Sequence, residues 1–401
     1  MKSHFKRFTE RFIEGILALS STITTLTVLL IIIFLFSEGF GVFNTSPLEH
    51  QNALIVNRKN QVNHLKAEDI KNIFDGNITH WDSLGGLHDS ILLVTVNNLT
   101  DFISQEELGS DFEFLPHLMD SLVESNTGML AVLPEKFIPP NHLSKIVRVD
   151  KNNLPDFLLG KLWFPTAEPA VQLGTLPLIL GTFMVSIFAI LFALPIGLAT
   201  AIYMAEVANP KVRNVMKPVI ELLAGIPSVV FGFFGLIVIV PLIHDLFDLP
   251  VGETALAGSV VLGIMALPTI ITVSEDAIRN TPRAMKEASL ALGATRWQTM
   301  SRVVLPYSIS GITAAAILGI GRAMGETMAV LMVTGNAAVM PTSLLQPVRT
   351  IPATIAAELG EAPQGGVHYK ALFALGCILF LMTMAINLWV EYISNKRKML
   401  K

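Results

Sequence analysis

Residues 287–306 read EASLALGATRWQTMSRVVLP and lie between two long apolar stretches of the 401-residue chain. Just upstream, Thr281 is followed by Pro282, an order typical of an N-cap with proline at the first helical position. The spacing i, i+3, i+4 and i+7 then predicts one small, mostly apolar helix face, formed by Met285, Ala288, Ser289 and Leu292. A helix with a short apolar face suits insertion into a groove on a partner.

This first helix is expected to end at Gly293, because glycine readily adopts the positive φ found at helix C-termini. Thr295 and Gln298 have the spacing of a capping box and predict a second helix. The segment is therefore interpreted as helix, glycine turn, helix, with Arg296 and Arg302 on the second arm. The alternative is an ordinary solvated loop between membrane spans, although such loops are usually short and polar.

The composition is too apolar for a soluble domain of this size and too charged for a chain lying wholly in the membrane. It is 52% hydrophobic and 15% charged, with a mean hydropathy of +0.57. A spanning helix needs about 20 mostly apolar residues. Six stretches satisfy this, at approximately 15–36, 173–204, 218–243, 254–274, 307–334 and 369–391. The first is too long for the apolar region of a signal peptide and is interpreted as a retained anchor.

Lysine and arginine residues predict the orientation of the spans. They are concentrated in both terminal tails and in the loops 205–217 and 275–302, whereas the alternate loop 244–253 has none. We therefore expect both termini and the 275–302 loop in the cytoplasm.

Residues 38–168 then lie outside the cytoplasm and are long enough to form a domain. Strand-like runs alternate there with helical patterns, which indicates an α/β or α+β fold. The strands are predicted at Ala53–Val56, Ile91–Val96 and Met129–Leu133, and the helices near Ala67–Phe74 and Asp111–Glu124. The expected fold is an all-α polytopic membrane protein with an inserted α/β extracytoplasmic domain. The parts are 1–37 (tail and first transmembrane helix), 38–168 (inserted domain) and 169–401 (five-helix core with the loop 275–306).

Arg322 and Glu326 lie in the stretch GIGRAMGETMAV, which we place near the middle of the fifth span. A charge at the centre of a spanning helix costs about 2.5–3.5 kcal/mol on insertion scales. The i, i+4 spacing predicts that both charges share one helix face and lie close enough to pair. Gly321 and Gly325 beside them are expected to allow close helix approach.

Two interpretations of these charges remain open. One is a structural ion pair that locks helices together. The other is a substrate path in which Arg322 attracts an anion and Glu326 holds or releases the arginine, because a guanidinium group suits phosphate-like oxyanions.

The sequence contains no Walker A loop, no catalytic-triad spacing and no metal-ligand cluster. We therefore expect no catalytic residue, no metal site and no cofactor on this chain, so any ATPase must be a separate subunit. The single cysteine, Cys377, lies in an apolar run and is interpreted as a small core residue. The net charge of −4 gives no indication of nucleic-acid binding.

The segment 287–306 resembles the cytoplasmic EAA loop of the membrane subunits of ABC importers, with Ser289 in place of alanine and Val303 in place of isoleucine. The resemblance implies that a separate ATPase subunit, which carries ATP and Mg, docks here. The residues it assigns to docking are Glu287, Ala288, Ser289, Gly293, Ala294, Leu305 and Pro306.

Four stretches together resemble the phosphate-specific importer permeases. They are AGIPSVVFGFFGL (224–236), ALPTIITVSEDAI (266–278), PRAMKEASLALGATRWQTMSRVVLP (282–306) and GRAMGETMAVLMVTGN (321–336). The sequence at 322–327 resembles the PstC type more than the paralogous PstA type. The resemblance implies a permease subunit that imports inorganic phosphate across the bacterial inner membrane. It also implies a PstA-like second permease, an ATPase dimer and a periplasmic phosphate-binding protein as partners, and it places Arg322, Glu326 and Thr327 on the substrate pathway.

Residues 53–86 resemble part of the periplasmic phosphate-binding proteins, on Asn57, Ile73-Phe74, Gly76, Ile78, Trp81 and Gly85-Gly86. The Ser-Gly-Thr segment that grips phosphate in those proteins is missing after the Gly-Gly pair. The resemblance therefore implies one lobe of a receptor fold without tight phosphate binding. Docking of a receptor, gating and a purely structural insertion remain open as its role.

Three functions other than phosphate import remain open. The same machinery could carry another oxyanion, such as molybdate or sulfate, because arginine chemistry does not separate these anions. A membrane-anchored ligand sensor would need an output domain after the last span. A secondary transporter would leave the helix pair of the 275–306 loop without a purpose.

Overall fold

The structure is a computed structural model that describes residues 2–48, 52–108, 114–138 and 144–399, with the backbone alone at 2–11, 105–106 and 393–399. The chain forms two compact units. The helical unit comprises Met1–Gly39, Leu176–Ala362 and Leu372–Lys401, and the inserted unit comprises Phe40–Thr175 and Pro363–Ala371.

The chain begins with α1 (Lys2–Phe40), and the inserted unit that follows is built on a five-stranded sheet. Its strands are β1 (Asn52–Val56), β2 (His64–Leu65), β3 (Leu92–Thr95), β4 (Met129–Pro134) and β5 (Lys145–Val149). The order across the sheet is β2-β5-β1-β4-β3. β1 runs antiparallel to β4 and β5, whereas β2 pairs with β5 and β3 with β4 in parallel. The α-helices and the two further strands are α2 (Ala67–Phe74), α3 (Gln105–Leu108), α4 (Leu115–Ser125), α5 (Leu154–Leu159), β6 (Trp163–Phe164) and β7 (Gln172–Leu173). Short 3-10 helices lie at Gly41–Asn44, Trp81–Leu84, Val96–Asp101 and Glu135–Phe137.

The central strands β1 and β4 are apolar on both faces because each face is covered. Leu54 and Val56 of β1 join one core cluster with Trp81, whereas Ile55 joins a second cluster with Met119 of α4. Alternate side chains of a strand point to opposite faces, which explains this division. The predicted strands at 53–56, 91–96 and 129–133 and the helix at 67–74 are confirmed. The helix predicted from Asp111 begins at Leu115, and 111–113 lie outside the described residues.

The helical unit continues from α6 to α16. Its helices are α6 (Leu176–Ile202), α7 (Pro210–Ala224), α8 (Ser228–Phe234), α9 (Val240–Phe247), α10 (Ala255–Arg279), α11 (Arg283–Ala291), α12 (Arg296–Thr299), α13 (Leu305–Gly325), α14 (Met328–Val333), α15 (Ile351–Glu358) and α16 (Val367–Met399). Three π-helical stretches interrupt this series, at Tyr203–Val207 after α6, Gly235–Ile239 between α8 and α9, and Met300–Val304 between α12 and α13.

Six helical segments of the described chain are long and apolar enough to cross a membrane, which confirms the predicted number. They are Phe12–Asn44, Leu176–Val207, Ser228–Phe247, Ala255–Arg279, Arg296–Gly325 and Val367–Tyr392. The predicted start of the third span at 218 is wrong. The chain breaks at Gly225-Ile226-Pro227, because proline lacks an N–H and restrains the residue before it to extended backbone. The predicted end of the fifth span at 334 is also wrong, because α13 ends at Gly325. The predicted position of Arg322 and Glu326 near the middle of this span is wrong for the same reason, since Arg322 lies in the last turn of α13 and Glu326 lies beyond its end.

Helix α10 lies at the centre of the helical unit, between α6 and α13. Glycines bring the backbones together: a Cβ at Gly197 of α6 would lie 2.7 Å from Cγ2 of Ile270, and one at Gly311 of α13 would overlap the Cβ of Ala277. Small residues at such crossings allow helices in a membrane to gain van der Waals contact, because lipid supplies no hydrophobic drive for them to associate.

The first and last spans pack together in the helical unit. Phe34 and Phe373 meet edge to face with ring centroids 5.5 Å apart. The Cys377 thiol is buried and donates to the Leu35 carbonyl at 3.3 Å. The interpretation of Cys377 as a small core residue is therefore confirmed.

The glycine contacts of α13 predict opposite effects for two equivalent substitutions. Gly311→Ala should lower the thermal unfolding midpoint of the detergent-solubilised chain, because overpacking costs about 1–3 kcal/mol. Gly321→Ala on the same helix should leave the midpoint unchanged or raise it, since no heavy atom lies within 4 Å of the added Cβ and alanine favours helix over glycine. Equal midpoints for the two variants would contradict the packing described.

Candidate docking segment and transport path

The segment between α10 and α13 forms the predicted helix, turn and helix, but its start differs by one residue. The N-cap of α11 is Pro282, with φ −56° and ψ 131°, rather than Thr281. The Thr281 side chain is buried, and its hydroxyl lies 3.1 Å from that of Ser308. Thr281 therefore ties the segment to α13, and the predicted N-cap is wrong because a tertiary contact takes its hydroxyl.

The turn and the second arm are confirmed. Gly293 has φ +81°, a conformation that glycine adopts without strain. Thr295 and Gln298 form the predicted capping box: the Thr295 hydroxyl accepts from the Gln298 amide at 3.2 Å, and the Gln298 side chain accepts from the Thr295 amide at 2.8 Å. Beyond α12, Met300 and Val304 are buried in a cluster with Ile278 at the end of α10. The second arm is thus fixed to the spans.

The first arm, α11, has no buried residue. Met285 and Leu292 of the predicted apolar face are 40% and 89% exposed, and Trp297 on the second arm is 71% exposed. Ser289 of the same predicted face is half-buried, and its hydroxyl lies 2.9 Å from that of Thr299, so the predicted face is not exposed along its whole length. Exposed apolar side chains on a helix pair fit a surface that a partner covers.

The residues assigned to docking do not all lie on one exposed surface. Glu287, Ala288 and Gly293 are exposed. The other four are half-buried, and two of them begin α13; they are Ser289, Ala294, Leu305 and Pro306.

Two ion-pair clusters beside the segment were not found by sequence reasoning. Lys286 of α11 pairs with Glu206 in the π-helix after α6, and each side chain is 21% exposed. The two residues are 80 positions apart, so no local pattern could join them.

The second cluster surrounds Glu275, whose side chain is 1% exposed near the end of α10. Its carboxylate lies 3.3 Å from Nε of Arg213, 3.8 Å from Nζ of Lys217 and 3.4 Å from Nη1 of Arg279. A buried carboxylate needs such partners, because an unpaired charge is costly away from water. The cluster connects α7 to α10. From the sequence, Arg213, Lys217 and Arg279 predict only the orientation of the spans in the membrane.

The backbone at Arg322 and Glu326 contradicts the predicted pair. Helix α13 ends at Gly325, and Glu326 follows with extended backbone, φ −73° and ψ 132°. The two charges therefore do not share one helix face, and no ion pair joins them among the described contacts. Arg322 instead donates from Nη1 to the Thr269 hydroxyl of α10 at 3.4 Å. The Glu326 carboxylate accepts weakly from the Ala329 amide, at 3.5 Å.

The close helix approach predicted at Gly321 and Gly325 is also absent from the described chain, because no heavy atom lies within 4 Å of a Cβ built at either glycine. Thr327 is half-buried in the break and donates to the Gly325 carbonyl at 3.3 Å. Arg322, Glu326 and Thr327 therefore surround the break between α13 and α14, at the end of the fifth span and beside an open side of α13.

The interruption gives this part of the chain a defined chemistry. Arg322 is half-buried, and its described partner is a neutral hydroxyl, so no carboxylate of the described residues pairs with its positive charge. Such a guanidinium attracts an oxyanion. The described residues include no group of three or more His, Cys, Asp or Glu that could hold a metal ion.

The sequence matches the family described as "Binding-protein-dependent transport system inner membrane component" over residues 193–399. The chain is 42% identical over 244 residues to the probable ABC transporter permease protein YqgH of Bacillus subtilis, covering 61% of this chain and 78% of the relative. It is 34% identical over 305 residues to the phosphate transport system permease protein PstC of Haemophilus influenzae, covering 71% of this chain and 95% of the relative.

Among solved structures, the chain is similar to an inward-facing MetNI methionine ABC transporter, with a TM-score of 0.42 and 21% identity over 56% of this chain and 94% of that chain. The likeness of the inserted unit to a phosphate receptor stays a prediction. The family consists of transport permease subunits of ABC importers rather than enzymes, and such a subunit works with an ATPase and a substrate-binding protein. Because the match spans half of the sequence and includes the docking segment and the helix break, this multi-pass inner-membrane chain belongs to the family of binding-protein-dependent transport system inner membrane components.

Proposed function

We propose that this chain is a PstC-type permease subunit that imports inorganic phosphate. The observation that carries the proposal is its 34% identity to the Haemophilus influenzae phosphate permease PstC across 95% of that protein. The unneutralised charge of Arg322 at the helix break supports it, because guanidinium groups bind phosphate-like oxyanions. Glu326 and Thr327, on the other side of the break, are assigned to the same pathway. The match to a permease family does not favour a ligand sensor.

The proposed assembly contains a PstA-like second permease, an ATPase dimer that holds ATP and Mg, and a periplasmic phosphate-binding protein. The exposed apolar side chains of α11 and α12 support the ATPase surface. The open side of α13 at Gly321 and Gly325 supports close approach of a second permease. The distribution of Lys and Arg supports a cytoplasmic position for both termini and for the docking segment.

We assign residues 38–168 to an extracytoplasmic domain with the fold of one receptor lobe. The residues of that resemblance have structural roles here: Trp81 is fully buried, and Gly76 and Gly85 have φ +74° and +77°. A resemblance carried by core and turn residues supports a shared fold more than shared phosphate binding. The core of the transporter is then 169–401, with 1–37 forming the tail and first span.

In the proposed mechanism, closure of the ATPase dimer pushes on Glu287–Pro306. The second arm transmits the push directly, because Met300 and Val304 are buried against Ile278 of α10. The spans then rock between inward-open and outward-open arrangements, and phosphate passes Arg322 at the helix break.

The docking assignment predicts that Gly293→Asp abolishes ATP-driven phosphate uptake while the chain still inserts. Aspartate disfavours the positive φ of this turn and adds a charge to an exposed surface. Gly360→Asp is the matched control, because it is also exposed and has no heavy atom within 4 Å of its Cβ. Normal uptake by Gly293→Asp, at normal expression, would refute docking at this turn, and Glu287→Lys tests the neighbouring exposed position in the same way.

The path assignment predicts that Arg322→Gln lowers phosphate uptake by about tenfold or more, since a hydrogen bond to a charged group contributes about 1.5–3 kcal/mol. The complex should still assemble, because Arg322 makes no ion pair within the described chain. Arg58→Gln, at an exposed position of the inserted unit, is the matched control. Uptake is measured in proteoliposomes and assembly by co-purification. Loss of assembly together with uptake would favour a structural role for Arg322 instead.

A further inference from the structure

Helix α11 is joined to the spans in a different way from the arm that follows it. Its inner side contains two half-buried polar residues, Lys286 and Ser289. The Ser289 hydroxyl bonds to Thr299, which belongs to the docking segment itself. Among the described hydrogen bonds and ion pairs of α11 side chains, the pair of Lys286 with Glu206 is therefore the one that reaches the span containing α6, Leu176–Val207.

Glu206 lies at the end of the second span, in a stretch fixed by backbone hydrogen bonding and packing. It belongs to the π-helix Tyr203–Val207, which ends with a hydrogen bond from the Ala208 amide to the Tyr203 carbonyl at 2.8 Å. Within this stretch, Met204 is 1% exposed and packs in a cluster with Ile220 and Ile271. The Lys286–Glu206 pair is mostly shielded from water, so salt screens it less than a surface pair.

Close contacts continue from α6 to the helix break. Gly197 of α6 lies against Ile270 of α10, where a Cβ would come within 2.7 Å of Cγ2. Gly319 of α13 lies against the same side chain, where an added Cβ would come within 3.1 Å of its Cδ1. The residue before it, Thr269, accepts the hydrogen bond from Arg322. A displacement of α6 therefore acts on Ile270. This residue follows Thr269, which accepts the hydrogen bond from the Arg322 guanidinium.

We propose that the Lys286–Glu206 ion pair is the connection through which movement of α11 reaches α6 and, through Ile270, the position of Arg322. Lys286 and Glu206 are positioning residues in this account, and neither contacts substrate. The second arm, fixed by Met300 and Val304, transmits its own part of the push to the spans separately. The inference rests on the proposed function, because it needs an ATPase that moves α11.

The test uses the assembled complex in proteoliposomes and measures phosphate transported per ATP hydrolysed. Lys286→Gln and Glu206→Gln should each leave assembly and hydrolysis in place and lower this ratio by about tenfold, within the range of ordinary coupling energies. The reversed pair, Lys286→Glu with Glu206→Lys, should restore most of the ratio. Lys211→Gln, an exposed cation of α7 outside the docking segment, should leave the ratio unchanged.

Hydrogen–deuterium exchange of the full chain gives a second readout that needs no transported substrate. Each neutralised variant should exchange faster at 283–291 than the unaltered chain, with 300–304 unchanged, and the reversed pair should restore protection. If the unaltered complex moves no phosphate, the substrate assignment fails while exchange still decides whether the connection exists. The proposal is overturned if neutralising Lys286 or Glu206 changes neither the phosphate transported per ATP hydrolysed nor the hydrogen–deuterium exchange at 283–291. It is also overturned if Lys286→Gln prevents ATPase binding and the reversed pair does not restore that binding.

Discussion

The close approach of α6 and α13 to α10 is the constraint on which the rest of the helical unit depends. Lipid does not drive helices together, so the association relies on van der Waals contact, which glycine at 197, 311 and 319 makes possible. The same contacts bring Arg322 within reach of Thr269 and hold the ends of α6, α10 and α13 around the segment 283–304. A single packing arrangement thereby relates the proposed ATPase surface to the charge of Arg322.

The interruption between α13 and α14 gives that arrangement its chemistry. A continuous helix would have placed Glu326 one turn from Arg322 and favoured their mutual neutralisation. The break at Gly325 directs the Glu326 carboxylate to the Ala329 amide instead and leaves the guanidinium with a neutral partner. The interpretation of Arg322 and Glu326 as a structural ion pair is therefore not supported, because the two side chains do not pair. The interpretation as an anion path is favoured, because the Arg322 guanidinium has no carboxylate partner among the described residues.

Features encoded by neighbouring residues could be predicted from the sequence, including the six spans, the positive φ at Gly293 and the capping box at Thr295. Features decided by distant contacts could not. Thr281 has the local pattern of an N-cap, but Ser308 takes its hydroxyl. The break at Glu326 was missed because an apolar run hides a helix end, and the partners of Lys286 and Glu275 were missed because they lie on other helices. For the inserted unit, runs of apolar residues found β1, β3 and β4. The strand β5 was missed because charged residues interrupt its apolar ones, and β2, β6 and β7, of two residues each, are too short to show a period.

The most direct test of the account is uptake of radiolabelled phosphate into vesicles that contain this chain, a PstA-like permease and the ATPase, with sulfate, molybdate and arsenate as competitors. The account predicts uptake that requires ATP and that arsenate alone competes. Competition by sulfate or molybdate would contradict the phosphate assignment and leave the permease assignment standing. Uptake without ATP would contradict the central claim that an ATPase docked on Glu287–Pro306 drives transport.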